Sequence, residues 1–554
     1  MHHGNPRLLI GAAAIALFSL LPSCPRPARG FVESTSTGGS GGAPPACGGT
    51  SAISNTSCPC VPGAVEACPY SGPPGTEGVG LCEAGARTCE PDGSAYGACS
   101  GEVTPIPEVC STPEDDDCGG ATPDCGALGW LLGAGDGAAQ IGRSVAITTS
   151  GRVLFAGQTS GEMDFGQPLS AEGADGFVIV FDLDGHALSS RLFTGSDEQT
   201  AVSVVATPNG RAVVTGAFKK TIDFGGLLLV SGAGRDTYLA TLSADGEVLS
   251  AQQISGPNDE RPTALAADDK GGLALTVVAT GPVDVGGPAL PFDDGTDSFV
   301  IRYSAAGALA WATALGGHGQ QETTSIALAP DGSVLVAGHT TGTLDCGPNC
   351  LYPGFGDPDL FVASLDGTTG AVLWVLTIPS PGDQSANAVS VGPDGTVIVT
   401  GTFGGTLDFG AAGTLTAPGF ASNLFLVALG PGGTPTWARA AGDGTPQEGT
   451  AVLVAGDGDI LLGGSHSGTP DLFGAQLPPT GPFPHPFLAR LDPKGNARWA
   501  VGSTGIATGA PASLALGPPH AVIFGGTSTG DLTMAGVTLV SGGGKDAFVG
   551  RLAY

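Results

Sequence analysis

The sequence predicts an all-β fold made from repeats of one small antiparallel sheet, and three features carry that prediction. Composition is the first: among 554 residues there are 95 Gly and 44 Pro, charged residues are only 13%, and the apolar stretches are short and rich in Val, Ala, Leu and Thr. That is the make-up of strands separated by turns. Repetition is the second, because GALAWATALGGHGQQETTSIALAPDGSVLVAGHTTGTLDCG is followed about sixty residues later by AVLWVLTIPSPGDQSANAVSVGPDGTVIVTGTFGGTLDFG. The third is alternation of apolar and other residues within each repeat, the period of a strand.

Three anchors fix the repeats. A Trp position holds Trp130, Ser189, Ser250, Trp311, Trp374, Trp437 and Trp499, so all five tryptophans share one register. An L-D-F-G-like phrase centres on Asp164, Asp223, Asp284, Asp345, Asp408 and Asp471, with Thr533 in the last copy. D-x-F followed by alternating apolar residues recurs as DGFVIVF, DTYLATL, DSFVIRY, DLFVASL, NLFLVAL, HPFLARL and DAFVGRL.

Each period reads as four strands, a to d, such as TAVSVVAT, RAVVTGAF, TYLATLS and EVLSAQQ. Turns such as Pro330-Asp331-Gly332 join a to b, and turns such as Ala244-Asp245-Gly246 join c to d, which is hairpin chemistry. A sheet apolar on both faces is stable only between neighbours, so radial stacking into a seven-bladed β-propeller over 126–554 is expected. GALGWLLGAG reads as a d strand without a preceding c, and KDAFVGRLAY as a c strand without a following d. The first strand is therefore expected to complete the last blade and close the ring. Through DxFVxRL, GxxxW, APDGxVxVxG and GTxDFG, residues Gly126 to Tyr554 resemble bacterial β-propeller repeat proteins of the SBBP type. That resemblance implies a fold and an extracytoplasmic setting, and no shared reaction.

Residues 1–24 read as an export signal: Arg7 precedes an apolar run from Leu8 to Leu21 that is short for a membrane span. Leu21-Pro22-Ser23-Cys24 resembles a bacterial lipobox, which implies lipidation of Cys24 and a membrane-anchored lipoprotein, at the outer membrane or cell surface; cleavage by ordinary signal peptidase is the alternative. Residues 25–46, PRPARGFVESTSTGGSGGAPPA, form a flexible Ser/Gly/Pro-rich tether. Residues 47–125 hold ten cysteines and two tyrosines, Tyr70 and Tyr96, as their only aromatics, so this module needs disulfides in place of a core. Cys47, Cys58, Cys60, Cys68, Cys82, Cys89, Cys99, Cys110, Cys118 and Cys125 are expected to pair there, and Cys346 with Cys350 locally, with connectivity in the module left open. The module resembles cysteine-rich regions of exported proteins of large-genome Gram-negative soil bacteria that end in E-x-C-N-x-x-D-D-D-C-D-G. Glu108, Cys110, Asp115, Asp116, Asp117 and Cys118 match, while Ser111, Gly119 and one extra residue depart from it. A hard cation such as Ca²⁺ suits the three aspartates, and a solvated acidic loop is the plainer reading.

A net charge of −31 repels phosphate backbones, which argues against nucleic acid as a partner. No HExxH or P-loop occurs, and Gly526-Thr527-Ser528-Thr529-Gly530 matches G-x-S-x-G without the strand-to-helix turn that a nucleophile elbow needs. The repeated Asp reads as a turn cap and the Trp register as packing between blades. No catalytic residues and no required cofactor are assigned. The expected function is a non-enzymatic binding scaffold for a protein or glycan ligand, with a propeller enzyme acting on polysaccharide and a divalent-cation-binding surface protein as alternatives. A His, Tyr or Arg cluster at the channel mouth would favour the enzyme. Tight a–b and c–d turns must share one end of the strands, leaving the longer d–a and b–c connections at the other. The d–a connections there supply Asp136, Asp197, Glu198, Asp259, Glu260, Glu322, Asp383, Asp443 and Glu448 as binding-face candidates, and b–c connections supply Tyr352, Phe355, Phe420 and Phe483.

Overall fold

The computed structural model describes residues 60–105, 115, 118 and 126–553, apart from 288–289, 348–350, 355, 420 and 518–520. Contacts divide the chain into two compact bodies, whose described parts are 60–66 with 88–98, and 67–87 with 99 onward; each four-stranded repeat from residue 126 on is called a unit. The first body holds the disulfide Cys60–Cys89; the second holds Cys68–Cys99 and Cys82–Cys118. Cys346 is also disulfide-bonded. Cys24, Cys47, Cys58, Cys110, Cys125 and Cys350 lie outside the described residues, as do the predicted signal and tether and both ends of the cysteine-rich module.

From residue 126 onward the chain is all-β and propeller-like, built on the four-strand order a–b–c–d that the repeats predict. Gln140–Ile147, Val153–Thr159, Asp175–Phe181 and Ala187–Gly195 pair in that order, every pair antiparallel. The next four strands, Ser203–Ala206, Ala212–Asp223, Leu228–Leu242 and Val248–Ile254, do the same and are joined to the first four where Ile222 and Asp223 pair with Gly195 and Thr194. Separate four-stranded sheets then start with the a strands Glu260–Ala267, Gln321–Leu328, Gln384–Val391 and Gln447–Val454. The last sheet takes a, b and c from Thr508–Gly517, Ala521–Thr529 and Lys545–Ala553, and its d strand is Leu128–Ala134 from the other end of this region.

Burial explains this arrangement. Strands b and c are apolar on both faces, and in the first unit all seven residues of each are buried. They need a neighbour on either side, and packing supplies it: each a strand lies against the a strand of the next unit, and Thr508–Gly517 returns to lie against Gln140–Ile147. The aromatic of each D-x-F phrase, Phe177, Tyr238, Phe299, Phe361, Phe425, Phe487 and Phe548, is fully buried. Each contributes about 1.5–3 kcal/mol of burial.

The other anchors act as expected. Asp164, Asp223, Asp284, Asp345, Asp408 and Asp471 each accept a backbone N–H two or three residues on, at 2.6–3.0 Å, and so cap their turns. Trp130, Trp311 and Trp374 donate their indole N–H, each at 2.9 Å, to Leu183, Gly367 and Pro431, carbonyls in the c–d turn of the following unit. Ser189, where a Trp is lacking, donates its hydroxyl to Asp245 in the equivalent turn at 2.6 Å. At these four positions the Trp register therefore ties one unit to the next, while the buried Trp499 packs without a partner for its indole N–H among the described residues.

Candidate functional site

The a strands surround a cavity of about 590 Å³, and what faces it is set by one irregularity repeated from unit to unit. The a–b register slips by one residue at Arg143, Thr263, Thr324, Asn387, Thr450 and Ala512. A bulge leaves its extra residue unpaired and re-aims its side chain. Arg143, Thr263, Asn387, Thr450 and Ala512 line the cavity together with Val202, which stands at the matching place in the second unit. Three of the bulge side chains also tie neighbours together. Thr324 Oγ1 donates to the Ala386 carbonyl at 2.6 Å, Asn387 Nδ2 to the Gly449 carbonyl at 3.0 Å and Thr450 Oγ1 to the Pro511 carbonyl at 2.5 Å, in each case on the next a strand.

A polar network runs on from Asn387. Its Nδ2 also reaches Glu448 Oε1 at 3.1 Å, and its Oδ1 accepts the Ser385 hydroxyl at 2.8 Å. Ser385 Oγ lies 3.5 Å from Nδ1 of His339. His339 faces Glu322 across the a–b ladder, and Glu322 stands 3.7 Å from Nη2 of Arg261. Burial lowers the His339 pKa, opposed by the Glu322 charge, so its imidazole is neutral near pH 7. Burial raises that of Glu448, opposed by the hydrogen bond from Asn387. Arg143 has its own pKa lowered by desolvation, with the charge of Glu198 opposing.

The acidic candidates do not form the open face expected of them. Glu260, Glu322 and Glu448 belong to a strands, not to d–a loops, and Glu260 is fully buried. Asp197 is paired with Lys220 at 3.0 Å, and Arg235 bridges Glu198 at 2.6 Å and Asp259 at 3.3 Å. Asp136 accepts the backbone N–H of Ala138 and of Glu162, fastening the d–a loop to the b–c hairpin. Asp443 does likewise through Thr445 and Thr469, and these bonds outweigh burial and hold its carboxyl at about 2. Asp383 is exposed. Tyr352 is partly buried against the core, whereas Phe483 is 63% exposed. Phe355 and Phe420 lie outside the described residues, as do Asp116 and Asp117 of the cation candidate. Among the described residues no three His, Cys, Asp or Glu side chains are grouped to hold a metal.

Behind this face lies a layer of buried amides that sequence reasoning missed. Gln140, Gln321, Gln384 and Gln447 open four of the a strands, Gln199 stands just ahead of Ser203–Ala206, and all five are fully or almost fully buried. Gln199, Gln321 and Gln447 donate Nε2 to the carbonyls of Thr221, Thr343 and Ser467 in the b–c connection, at 2.8–3.1 Å. Glu260 takes the same place in the third unit beside Asp236. A methyl group added at Gly256 would collide with Glu260 Oε1 and the Pro282 carbonyl, so this oxygen sits where the glutamines place their amide. Only a protonated carboxyl can donate there. Burial first, then the Asp236 charge, pushes Glu260 up to about 8. The bulge residues differ between units, so no repeated phrase marks them; the glutamine recurs in five units, so alignment of the a strands is the signal that could have found this layer.

Searches against known proteins return likeness without a family. No family model matches the chain. The regulatory protein FlaEY of Caulobacter vibrioides is 24% identical over 298 residues, covering 50% of this chain and 31% of that protein, so the chain spans about a third of its curated relative. Among solved structures, the Dos1 propeller is similar at a TM-score of 0.37 and 9% identity over 77% of this chain and 94% of that one. BamB from Moraxella catarrhalis gives 0.30 and 13% over 78% and 91%, and a puromycin hydrolase gives 0.38 and 14% over 75% and 56%.

Proposed function

We propose that the chain is an exported lipoprotein, anchored through Cys24, whose repeats make a closed seven-bladed β-propeller that binds a protein or glycan in its central cavity without altering it chemically. One observation carries the reading. Residues common to the units, the Trp, Asp and Phe anchors, are spent on turns and packing, whereas the bulges turn unlike side chains, Arg143, Thr263, Asn387 and Thr450, into one cavity. Sites that discriminate ligands need unlike groups converging on one space. The four-strand order, the return of Thr508–Gly517 onto Gln140–Ile147 and the pairing of Leu128–Ala134 with Lys545–Ala553 support closure. A glycan array probed with the purified protein tests the binding role. Asn387→Ala is expected to weaken any hit by about tenfold or more, since it removes a hydrogen-bonding group from the cavity lining. Loss on Phe483→Ala alone would move the site out to the loops. Anchoring is tested separately: Cys24→Ala should release the protein from membranes, and the mature N-terminus should carry acyl chains by mass spectrometry.

An enzyme acting on polysaccharide is the second reading, favoured by the run of Arg261, Glu322, His339 and Ser385 that leads from Asn387, in part the kind of cluster that would mark one. Binding is preferred because Ser385 gives its proton to Asn387 at 2.8 Å, while His339 stands 3.5 Å away, beyond the 2.6–3.2 Å expected of a nucleophile and its base. Release of new reducing ends from a polysaccharide panel, abolished by His339→Ala, would establish the enzyme instead.

A further inference from the structure

We propose that Arg143 makes the channel a receptor for the anionic group of its ligand, a carboxylate held by the guanidinium fork; this rests on the channel being the binding site. Arg143 occupies the bulge position, yet it does not do what the bulge residues of later units do. Thr324, Asn387 and Thr450 each donate to a carbonyl of the next a strand, whereas among the described residues the Arg143 guanidinium makes no hydrogen bond or ion pair. The tie between the first and second units is made one residue later, by Ser144, whose hydroxyl accepts the Val204 N–H at 3.0 Å. Arg143 is thus free of the structural duty of its position. Its Nε is buried without a partner, and a buried guanidinium donor left unpaired is costly.

Neighbouring charges do not repay that cost. Glu198, whose charge acts on Arg143, is already bound by Nε and Nη2 of Arg235, at 3.2 and 2.6 Å. Glu322 is matched by Arg261, and Glu448 is held by Asn387 and has its pKa raised by burial. Locally the cavity lining therefore carries unmatched cations, Arg143 and Lys545, although the whole chain carries −31. Distant charges are screened beyond about 8 Å at physiological salt, so the local cations decide. A guanidinium offers a planar fork that fits a carboxylate, and a cavity of about 590 Å³ admits a sugar acid.

The test is calorimetric titration of the full mature protein with D-glucuronate and with uncharged D-glucose at constant ionic strength. Glucuronate is expected to bind the wild type, and Arg143→Gln to weaken it by about ten- to a hundredfold, the range for a hydrogen bond to a charged group. Arg143→Lys should retain part of the affinity, because it keeps the charge and loses the fork. Neither variant should melt below the wild type, since no protein group loses a partner and Arg143→Gln removes a costly unpaired guanidinium, and Arg439→Gln on the outer surface should bind normally. Equal affinity in wild type and Arg143→Gln would overturn the proposal. So would an array ligand weakened by Asn387→Ala and untouched by Arg143→Gln, while leaving the channel as the site. A ligand indifferent to all three variants would overturn the channel reading itself.

Discussion

Glu260 stands where five other units place glutamine, and its chemistry is opposite in sign to what the site asks for. Its folded pKa of about 8 lies above the ordinary 4.5, so the folded chain keeps a proton that the unfolded chain releases. Stability is then undiminished below about pH 4.5 and falls as pH rises towards 8. Glu260→Gln supplies the missing N–H donor and removes the titration. It should raise the melting temperature at pH 8, by an amount worth a few kcal/mol at most, and leave it unchanged near pH 4. His466 and His485 act in the other direction. Their rings are buried with centroids 6.5 Å apart, and burial first, then the neighbouring imidazole, lowers His466 to about 4. The unfolded chain takes up the proton first, so stability should be lost as pH falls from 6.5 towards 4. His466→Phe, the residue that Phe403 already places opposite Gln384, should flatten that loss in acid melting curves.

At the level of strands and turns, what every unit needs was readable and what one unit needs was not. The indole of Trp311, the cap of Asp345 and the ring of Phe361 do the same work in copy after copy, so their spacing gave strand order, turns and the partner of Leu128–Ala134. A bulge is different: it exists only because two residues of one strand face one of another, and that count cannot be seen at Arg143 or Asn387 alone. The acidic loops misled for a similar reason. Arg235 lies 37 residues from Glu198 and 24 from Asp259, so pairing that cancels those charges appears only in three dimensions. Strand boundaries misled too, because Glu260 begins its strand where a loop was expected. The partner strand offers a direct check. Deleting 126–133 should expose the edge of Lys545–Ala553 and remove Trp130, which packs on Phe181 at 6.2 Å and bonds Leu183. A loss of about 3 kcal/mol or more, seen as a lower melting temperature or aggregation, is expected; an unchanged melting point would mean that closure does not depend on this strand.

Across the whole repeat region, the contacts that units make with one another are chiefly with their immediate neighbours, so stability is spread along the repeats as in other repeat proteins. Among the described residues, the disulfides lie in the cysteine-rich part apart from that of Cys346. Disulfide reduction should therefore loosen residues 60–105 well before the sheets, a difference that limited proteolysis with and without reductant would resolve.

The pairing of Leu128–Ala134 with Lys545–Ala553 also sets a clock. A ribosome makes the first of these strands more than four hundred residues before the second, and until then that strand has no partner. Synthesis adds about 5–20 residues per second, so the wait lasts on the order of a minute. Through that time the nascent chain cannot complete its fold. Chains arrested before residue 545 should remain sensitive to protease, and chains released after 553 should become resistant in one step.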